Sequence, residues 1–367
     1  MNSGAENPPL QSNAEDEMKV SEATPAATWS VATLLPETSK YKHTRLWVWG
    51  RRTWLGELSR ASKRFSHEAW AWLTYEKVPF PSVEKLVDSI ALLQSRGMDT
   101  TTSYMESEAP IFLLSIGWRS GSTLLQRVLV TDPRLLLWGE PLGEMAFFSR
   151  IAEMLSDPMN PLKLGIWATQ ADTNSPALPT SWIANLYPPT RHLRMALRGL
   201  FDEWLRKPAC ERGFARWGFK ECRLGATEAS LLHWLYPNAK FVVISRHPYD
   251  AYRSLADAKW APYYRYPDMR VNSAASFAGH WNRLALSWSG VSATFPCFHI
   301  KYDDLIRGKV DFRKLGSWLG IEIEEDIALS ARVGGTAKRE SLTWYERMII
   351  AHEAEAGMRA LGYSNNP

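Results

Sequence analysis

The sequence contains few cysteines, only Cys210, Cys222 and Cys297 among 367 residues. Three widely spaced cysteines cannot form a disulfide framework, and their spacing does not match a zinc site. Disulfide-poor chains are typical of reducing compartments. We therefore expect a cytoplasmic protein.

Long apolar runs and dense basic tracts are missing as well. No stretch reaches the roughly 18 consecutive apolar residues that indicate a membrane-spanning helix, and the polar, acidic N-terminus does not resemble a secretion signal. The net charge is only +4, which suits a small polyanionic ligand better than a nucleic acid. We expect neither a transmembrane segment nor a nucleic-acid partner.

The N-terminal part differs in composition from the remainder. Residues 1–30 have few large apolar side chains, so we expect them to be disordered. Residues 31–105 are predicted to form a helical extension that is rich in Trp and Arg. Because aromatic and basic residues alternate there, peripheral contact with a membrane is an alternative to packing against the predicted catalytic domain, residues 106–367.

One further absence concerns the loop of nucleoside-triphosphate enzymes. Residues 111–130, IFLLSIGWRSGSTLLQRVLV, predict a buried strand, a polar loop and a helix. Backbone N–H groups at such a helix start attract phosphate or sulfate. The ATP-type loop places a lysine after its second glycine, whereas Ser122 follows Gly121 here. Arg119 is the only fixed charge in the loop, and its planar group can bind two anionic oxygens.

Charged residues also follow three further predicted strands. Glu140 comes after RLLLW, Lys220 follows the short strand 217–219, and Arg246 follows FVVIS. An NTPase often has a magnesium-binding Asp at this last position, whereas this chain has Arg246 and His247. Alternating strands and helices predict a parallel sheet, and ligands bind at the carboxyl ends of its strands. The pattern favours direct binding of an anion, without a metal.

These motifs resemble those of sulfotransferases that use 3′-phosphoadenosine 5′-phosphosulfate (PAPS), nearest to the bacterial and tyrosylprotein-type branch. GWRSGSTLL resembles the family's 5′-phosphosulfate loop and SRHPYDAYRSL its 3′-phosphate motif, while KYDDL and MRALGY resemble two later elements. The resemblance covers about residues 111–363. It implies a three-layer αβα fold with a central parallel sheet, similar to P-loop NTPases, preceded here by the helical extension.

The resemblance implies a role for each matching residue. The 5′-phosphosulfate would be held by Arg119, Ser120, Gly121, Ser122 and Thr123. The 3′-phosphate would be held by Arg246 and Ser254, Tyr302 would lie near the nucleotide, and Lys338 would belong to a late basic loop. PAPS is then the donor and 3′-phosphoadenosine 5′-phosphate (PAP) the product, and no metal is required.

WGEP and GFKE resemble the tyrosylprotein-type branch, in which a glutamate is the base and a lysine assists the leaving phosphate. Glu140 is therefore the expected base, with Glu144 as its rival. Lys220 and Arg119 would stabilise charge on the transferred group. The acceptor would be a hydroxyl, or less often an amine, on a small molecule, carbohydrate, lipid or peptide.

Two other classes of protein remain as alternatives. A nucleotide kinase or NTPase would need the loop lysine and the magnesium-binding Asp, and the sequence has neither at the expected positions. A non-catalytic nucleotide-binding protein on the same fold would keep Arg119 and Arg246 but would need neither Glu140 nor Lys220.

Overall fold

The computed structural model describes residues 54–75, 86–88, 109–156, 175–180, 190–256, 271–289, 295–324 and 341–364. The chain forms two compact units, Met1–Ser59 and Arg60–Pro367. Of the first unit, only the beginning of helix α1 (Trp54–Leu73) is described. All other described residues belong to the second unit. The predicted disordered residues 1–30, most of the predicted extension and Lys338 lie outside the described residues.

A five-stranded, fully parallel sheet forms the centre of the second unit. Its strands are β1 Ile111–Ser115, β2 Leu135–Trp138, β3 Arg216–Glu221, β4 Lys240–Ser245 and β5 Cys297–Lys301. The strand order is β2-β3-β1-β4-β5, so β1 lies in the middle. The parallel sheet expected from the alternation of elements is confirmed.

Helices connect these strands and cover the sheet. They are α2 Ser122–Leu129, α3 Phe147–Ser156, α4 Thr190–Phe201, α5 Lys207–Glu211, α6 Ala226–Leu235, α7 Pro248–Ala256, α8 Ala274–Trp288, α9 Tyr302–Ile306, α10 Phe312–Leu319, α11 Trp344–Glu353 and α12 Glu355–Ala360. Short 3-10 turns occupy Gly143–Met145 and Leu178–Thr180, and a π turn, Asp202–Arg206, links α4 to α5.

The side chains of β1 alternate between two hydrophobic cores. Phe112 and Leu114 enter the larger core, which includes residues of α3, α6, α8 and α11. Ile111 and Leu113 enter the smaller core, together with residues of α2 and α10. Because helices cover both faces of the sheet, the whole strand is buried and apolar. The predicted three-layer αβα fold is confirmed.

Three element boundaries differ from those expected. Strand β3 extends through Lys220 to Glu221 because both residues pair with the central strand β1, opposite Leu113 and Leu114. The run CFHIKY, residues 297–302, predicts a strand that includes Tyr302, but Tyr302 begins α9. The sequence also predicts one last helix over residues 345–361, and this prediction was wrong: α11 and α12 are separated at Ala354, whose backbone (φ −103°, ψ 2°) leaves the helical region.

From Arg60 onward helix α1 belongs to the second unit, where its inner side contacts other helices through polar side chains. Glu68 accepts hydrogen bonds from the N–H of Ala274 at the start of α8 (2.8 Å) and from the hydroxyl of Tyr252 (3.1 Å). Arg64 donates to the carboxylate of Glu346 in α11 (2.6 Å). Each buried carboxylate thus has a donor, as burial of a charge requires.

At the edge of the smaller core, the Asp132 carboxylate connects the residues before β2 with those after α10. It accepts from the N–H of Arg134 (2.8 Å) and of Glu322 (2.9 Å), and also from the Arg134 guanidinium (2.6 Å). The Asp132 side chain is fully buried. Hydrogen bonds from Arg134 hold the pKa of the Asp132 carboxyl well below its usual range.

We expect Asp132→Asn to lower the free energy of unfolding at neutral pH by about 1 to 2 kcal/mol. A carboxyl with a lowered folded-state pKa stabilises the fold above the unfolded-state pKa of about 4 and loses that contribution as the pH falls. The variant should therefore lose less stability on acidification than the unmodified chain. Urea unfolding at several pH values measures this.

Glu203→Gln is the matched control, because Glu203 forms an exposed pair with Lys207 (2.6 Å). Its effect should stay within about 0.5 kcal/mol. An unchanged acid dependence in Asp132→Asn would contradict the role assigned to this carboxylate.

Candidate active site

The loop between β1 and α2 has an unusual backbone. Gly117, Arg119 and Gly121 all have positive φ angles, of 77°, 61° and 92°. The hydroxyls of Ser115 and Ser120 both donate to the carbonyl of Gly117 (3.0 and 2.9 Å). This turn leads directly into α2, so its N–H groups are available to an anion at the helix start. A left-handed conformation at Arg119 costs about 1 kcal/mol.

Two arginines that are distant in the sequence meet at this loop. The Arg119 Nε donates to the hydroxyl of Ser254 (3.1 Å), and an Arg246 NH group donates to the carbonyl of Arg119 (3.1 Å). The Arg246 guanidinium lies 4.3 Å from the ring centre of Tyr302, a cation–π contact. The structure thus brings four of the residues expected to bind the nucleotide to one place.

Tyr302 and Gly121 are packed so closely that no side chain fits between them. A Cβ atom at Gly121 would overlap the ring of Tyr302. Of the other expected loop residues, Ser122 is buried and begins α2, and Thr123 is exposed. Glycine is therefore required at position 121 both by its positive φ and by the neighbouring ring.

A second group of charges lies at the ends of β2 and β3. Lys220 donates a hydrogen bond to one carboxylate oxygen of Glu140, and Arg223 donates to the other (2.7 Å). Arg223 also donates to Glu221 (2.7 Å). Two of the three catalytic residues expected from the sequence, Glu140 and Lys220, are therefore in contact. The expectation did not include Arg223 and Glu221.

Charge and burial act in opposite directions on this group. Burial acts to raise the pKa of the Glu140 carboxyl, but the positive charges of Lys220 and Arg223 outweigh it and hold the pKa below its ordinary value. Burial raises the pKa of Glu221 despite its bond to Arg223. One oxygen of Glu221 has no hydrogen-bond partner among the described residues. Glu140 is thus the ionised carboxylate and Glu221 the one that holds a proton more readily.

The same group includes three potential metal ligands. Oxygens of Glu140 and Glu221 and the sulfur of Cys222 lie within 4.8 Å of one another. Lys220 and Arg223 already contact these carboxylates. Burial raises the pKa of the Cys222 thiol well above its ordinary value, and a neutral thiol is a poor metal ligand. The donors form a network of paired charges, which suits a metal ion poorly.

The two groups share one edge of the sheet. Arg119, Glu140 and Arg246 follow β1, β2 and β4, whose carboxyl ends point the same way because the sheet is parallel. The Arg223 guanidinium lies 5.6 Å from the ring centre of Trp118, the neighbour of Arg119. An anion loop and a paired acid–base group therefore adjoin, as a group-transfer site requires.

The side chains of two expected site residues are not among those that the structure describes. Lys338 lies outside the described residues, and so does the side chain of Glu144, although its backbone belongs to the 3-10 turn Gly143–Met145. His247 uses both ring nitrogens locally, with Nε2 donating to the carbonyl of Ser364 (2.9 Å) and Nδ1 accepting from the N–H of Tyr249 (3.3 Å). The sequence does contain a pattern that indicates Glu221 and Arg223 as site residues. The motif KECR, residues 220–223, places three charged side chains at the end of a buried strand.

The fold and the site define an α/β protein with a cation-lined anion site beside a carboxylate that contacts a lysine and an arginine. Residues 110–325 match the model of the sulfotransferase family. This match covers more than half of the chain, and the chain belongs to that family. No curated protein matches the sequence significantly.

Solved structures with similarity to this chain are also sulfotransferases. The sulfotransferase domain from the curacin biosynthetic pathway is 16% identical, with 71% of this chain and 99% of that chain covered and a TM-score of 0.37. The Alicyclobacillus acidocaldarius sulfotransferase is 16% identical (70% and 94% covered, TM-score 0.37). Mouse sulfotransferase SULT7A1, complexed with PAP, is 14% identical (74% and 92% covered, TM-score 0.34). These similarities are low, and the family assignment rests on the match of residues 110–325.

A helix that spans a membrane must be both long and strongly apolar. Within the described ranges, no helix is both long and apolar enough to cross a bilayer.

We expect Gly121→Ala to destabilise the protein, because it forces an L-residue into a positive φ and displaces the Tyr302 ring. Gly213→Ala is the matched control, since Gly213 also has a positive φ (87°) but no atom within 4 Å of the added methyl. The control should lose about 1 kcal/mol. Gly121→Ala should lose a further 1 to 3 kcal/mol or so. Equal losses in thermal unfolding would show that the contact with Tyr302 has no energetic weight.

Proposed function

We propose that this sulfotransferase moves a sulfuryl group from PAPS to a hydroxyl, or less often an amine, of a small-molecule, carbohydrate, lipid or peptide acceptor. One observation carries the proposal: Arg246 donates to the backbone of Arg119, and Arg119 donates to Ser254. The residues that resemble the 5′- and 3′-phosphate motifs of the family are therefore adjacent. One nucleotide with phosphates at both ends can contact the two motifs together.

The residues present fit such a nucleotide. The loop from Arg119 to Thr123 would hold the 5′-phosphosulfate, and Arg246 with Ser254 would hold the 3′-phosphate. The Tyr302 ring packs directly against Gly121 of this loop, which agrees with a position of Tyr302 near the nucleotide. When bound, the donor supplies a sulfuryl group that is already activated by its bond to phosphate.

We infer that Glu140 takes the proton of the acceptor hydroxyl. Its lowered pKa keeps it ionised at neutral pH, so it is ready to accept a proton. In the resting site the Lys220 ammonium donates a hydrogen bond to Glu140. A shift of that ammonium toward an anionic ligand would weaken the pair, and Glu140 would then become a stronger base.

Arg223 is inferred to hold the base in position. It contacts the Glu140 oxygen that Lys220 does not, and it is itself fixed by Glu221. Arg223 therefore keeps the Glu140 carboxylate oriented even when Lys220 moves away from it. Positioning and charge neutralisation of this kind supply most of the rate in group transfer.

We also propose that the protein acts in the cytoplasm. All three of its cysteines are free thiols, which suits a reducing compartment.

We expect Arg246→Ala to remove the preference for PAP over adenosine 5′-phosphate. Loss of a charge-assisted contact to the 3′-phosphate should weaken PAP binding by about 10- to 100-fold. Binding of adenosine 5′-phosphate should change little, as measured by titration calorimetry. Arg313→Ala, an exposed arginine of α10, is the control and should bind both nucleotides normally. An equal loss for both nucleotides would refute the assigned role.

We expect Glu140→Gln to retain PAP affinity and to lower turnover by about 10² to 10⁴, the usual contribution of a well-placed base. The pH profile provides a second readout. Because the Glu140 pKa is lowered in the resting site, the acid limb of kcat/KM, which reports the free enzyme, should lie below the ordinary pKa of a glutamate. Arg223→Met removes one lowering charge and should move that limb to higher pH.

Glu324→Gln, an exposed residue, is the control for the loss of a carboxylate. Unchanged turnover in Glu140→Gln would transfer the role of base to Glu144 or to no residue. PAP binding without turnover on phenol, carbohydrate, lipid and peptide acceptors would favour the non-catalytic alternative.

A further inference from the structure

The outward sides of α1 and α11 carry several exposed large apolar side chains. We call this surface the outer face and define it by Phe65, Trp70, Leu73, Trp344 and Met348. Leu73 is 85% exposed, Trp344 69% and Trp70 67%. Large aromatic side chains are costly to leave in water, so such a surface is typical of a contact site.

These residues form one surface because the two helices lie side by side. The ring of Phe65 is 6.5 Å from that of Trp344, and the ring of Trp72 is 5.8 Å from that of His352. Residue numbers rise together in these contacts, so α1 and α11 run parallel. Met348 lies one turn beyond Trp344, between the levels of these two contacts.

The described carboxylates of the two helices point inward. Between Arg60 and Leu73 and along α11 the acidic residues are Glu68, Glu346 and Glu353, and each is at most 7% exposed. Glu346 accepts from Arg64 and Glu353 from the Trp72 indole, while Glu68 accepts from α8 as described above. No negative charge of these two stretches therefore reaches the outer face.

The exposed titratable side chains of the same two stretches are basic without exception. They are Arg60, Lys63, His67, Arg347 and His352. At about 100° per residue, Lys63 and His67 lie on the edge of α1 away from α11, and Arg347 lies on the edge of α11 away from α1. The apolar strip is thus flanked by positive charge on both sides.

We propose that the outer face docks on an anionic lipid bilayer. Tryptophan and phenylalanine are suited to the boundary between headgroups and acyl chains, and basic residues beside them are attracted to anionic headgroups. A protein partner is the competing occupant, because protein interfaces share the aromatic residues of this face, but they are depleted in lysine. The inference is independent of the transfer reaction and adds a location from which the enzyme would act.

Sedimentation of the full chain with vesicles tests the proposal. We expect binding to phosphatidylcholine vesicles that contain phosphatidylserine, and much weaker binding to phosphatidylcholine alone. Each basic residue near an anionic surface contributes about fivefold to binding, so Lys63→Gln with Arg347→Gln should weaken it roughly 25-fold. Trp70→Ser with Trp344→Ser should weaken binding to the same vesicles by removing the inserted rings.

Matched variants away from the outer face separate a specific surface from general charge or hydrophobicity. Lys309→Gln with Arg313→Gln removes two exposed charges, and Met195→Ser with Leu286→Ser removes two exposed apolar side chains. Both should bind vesicles normally. Absence of binding to anionic vesicles, or equal loss in the control variants, would overturn the proposal. So would a dimer in sedimentation velocity that Trp344→Ser dissociates, because a second copy would then cover the face.

Discussion

The site depends on the meeting of two arginine residues at the carboxyl edge of the sheet. Arg119 follows β1 and Arg246 follows β4, and these strands are paired neighbours. Gathering positive charge at one point opposes folding unless the groups have partners. Here Arg246 bonds to the Arg119 carbonyl and lies on the ring of Tyr302, which in turn lies on Gly121. Loop, strand end and α9 are therefore positioned together, and a change at any one of them affects the others.

The two groups of charged residues have different balances. In the part of the chain that the structure describes, no carboxylate forms an ion pair with Arg119, whereas Glu140 and Glu221 are matched by Lys220 and Arg223. The first group retains a positive charge that an anion can neutralise. The second is already neutral as a whole, so it can redistribute protons without a large change in local charge. This division agrees with one group that binds an anion and another that serves an acceptor.

The sequence predicts the sheet and the anion loop well because both depend on local patterns. Buried parallel strands are recognised as short apolar runs, and the residue types of the loop indicate a site for an anion. The ion pairs of Glu140 with Lys220 and Arg223 are harder to predict from the sequence, since they depend on the order of the strands. β3 lies beside β2 with Trp138 opposite Phe219, which brings Glu140 level with the end of β3, and nothing local specifies that register. The inward position of Glu68 was equally hidden, because its donors come from residues more than 180 positions away.

In the proposed mechanism, the resting arrangement of Glu140 imposes a compromise on its role as the base. Two cations ensure that the carboxylate is ionised, but the same cations reduce its affinity for a proton. A base that is held this way works best if one cation leaves when the substrate arrives. Lys220 is suited to leave, because its ammonium is a single point charge on a flexible chain. Arg223 is suited to remain, because its planar group is fixed between two carboxylates and under the ring of Trp118. The choice of lysine at one position and arginine at the other therefore follows from the different tasks of the two cations.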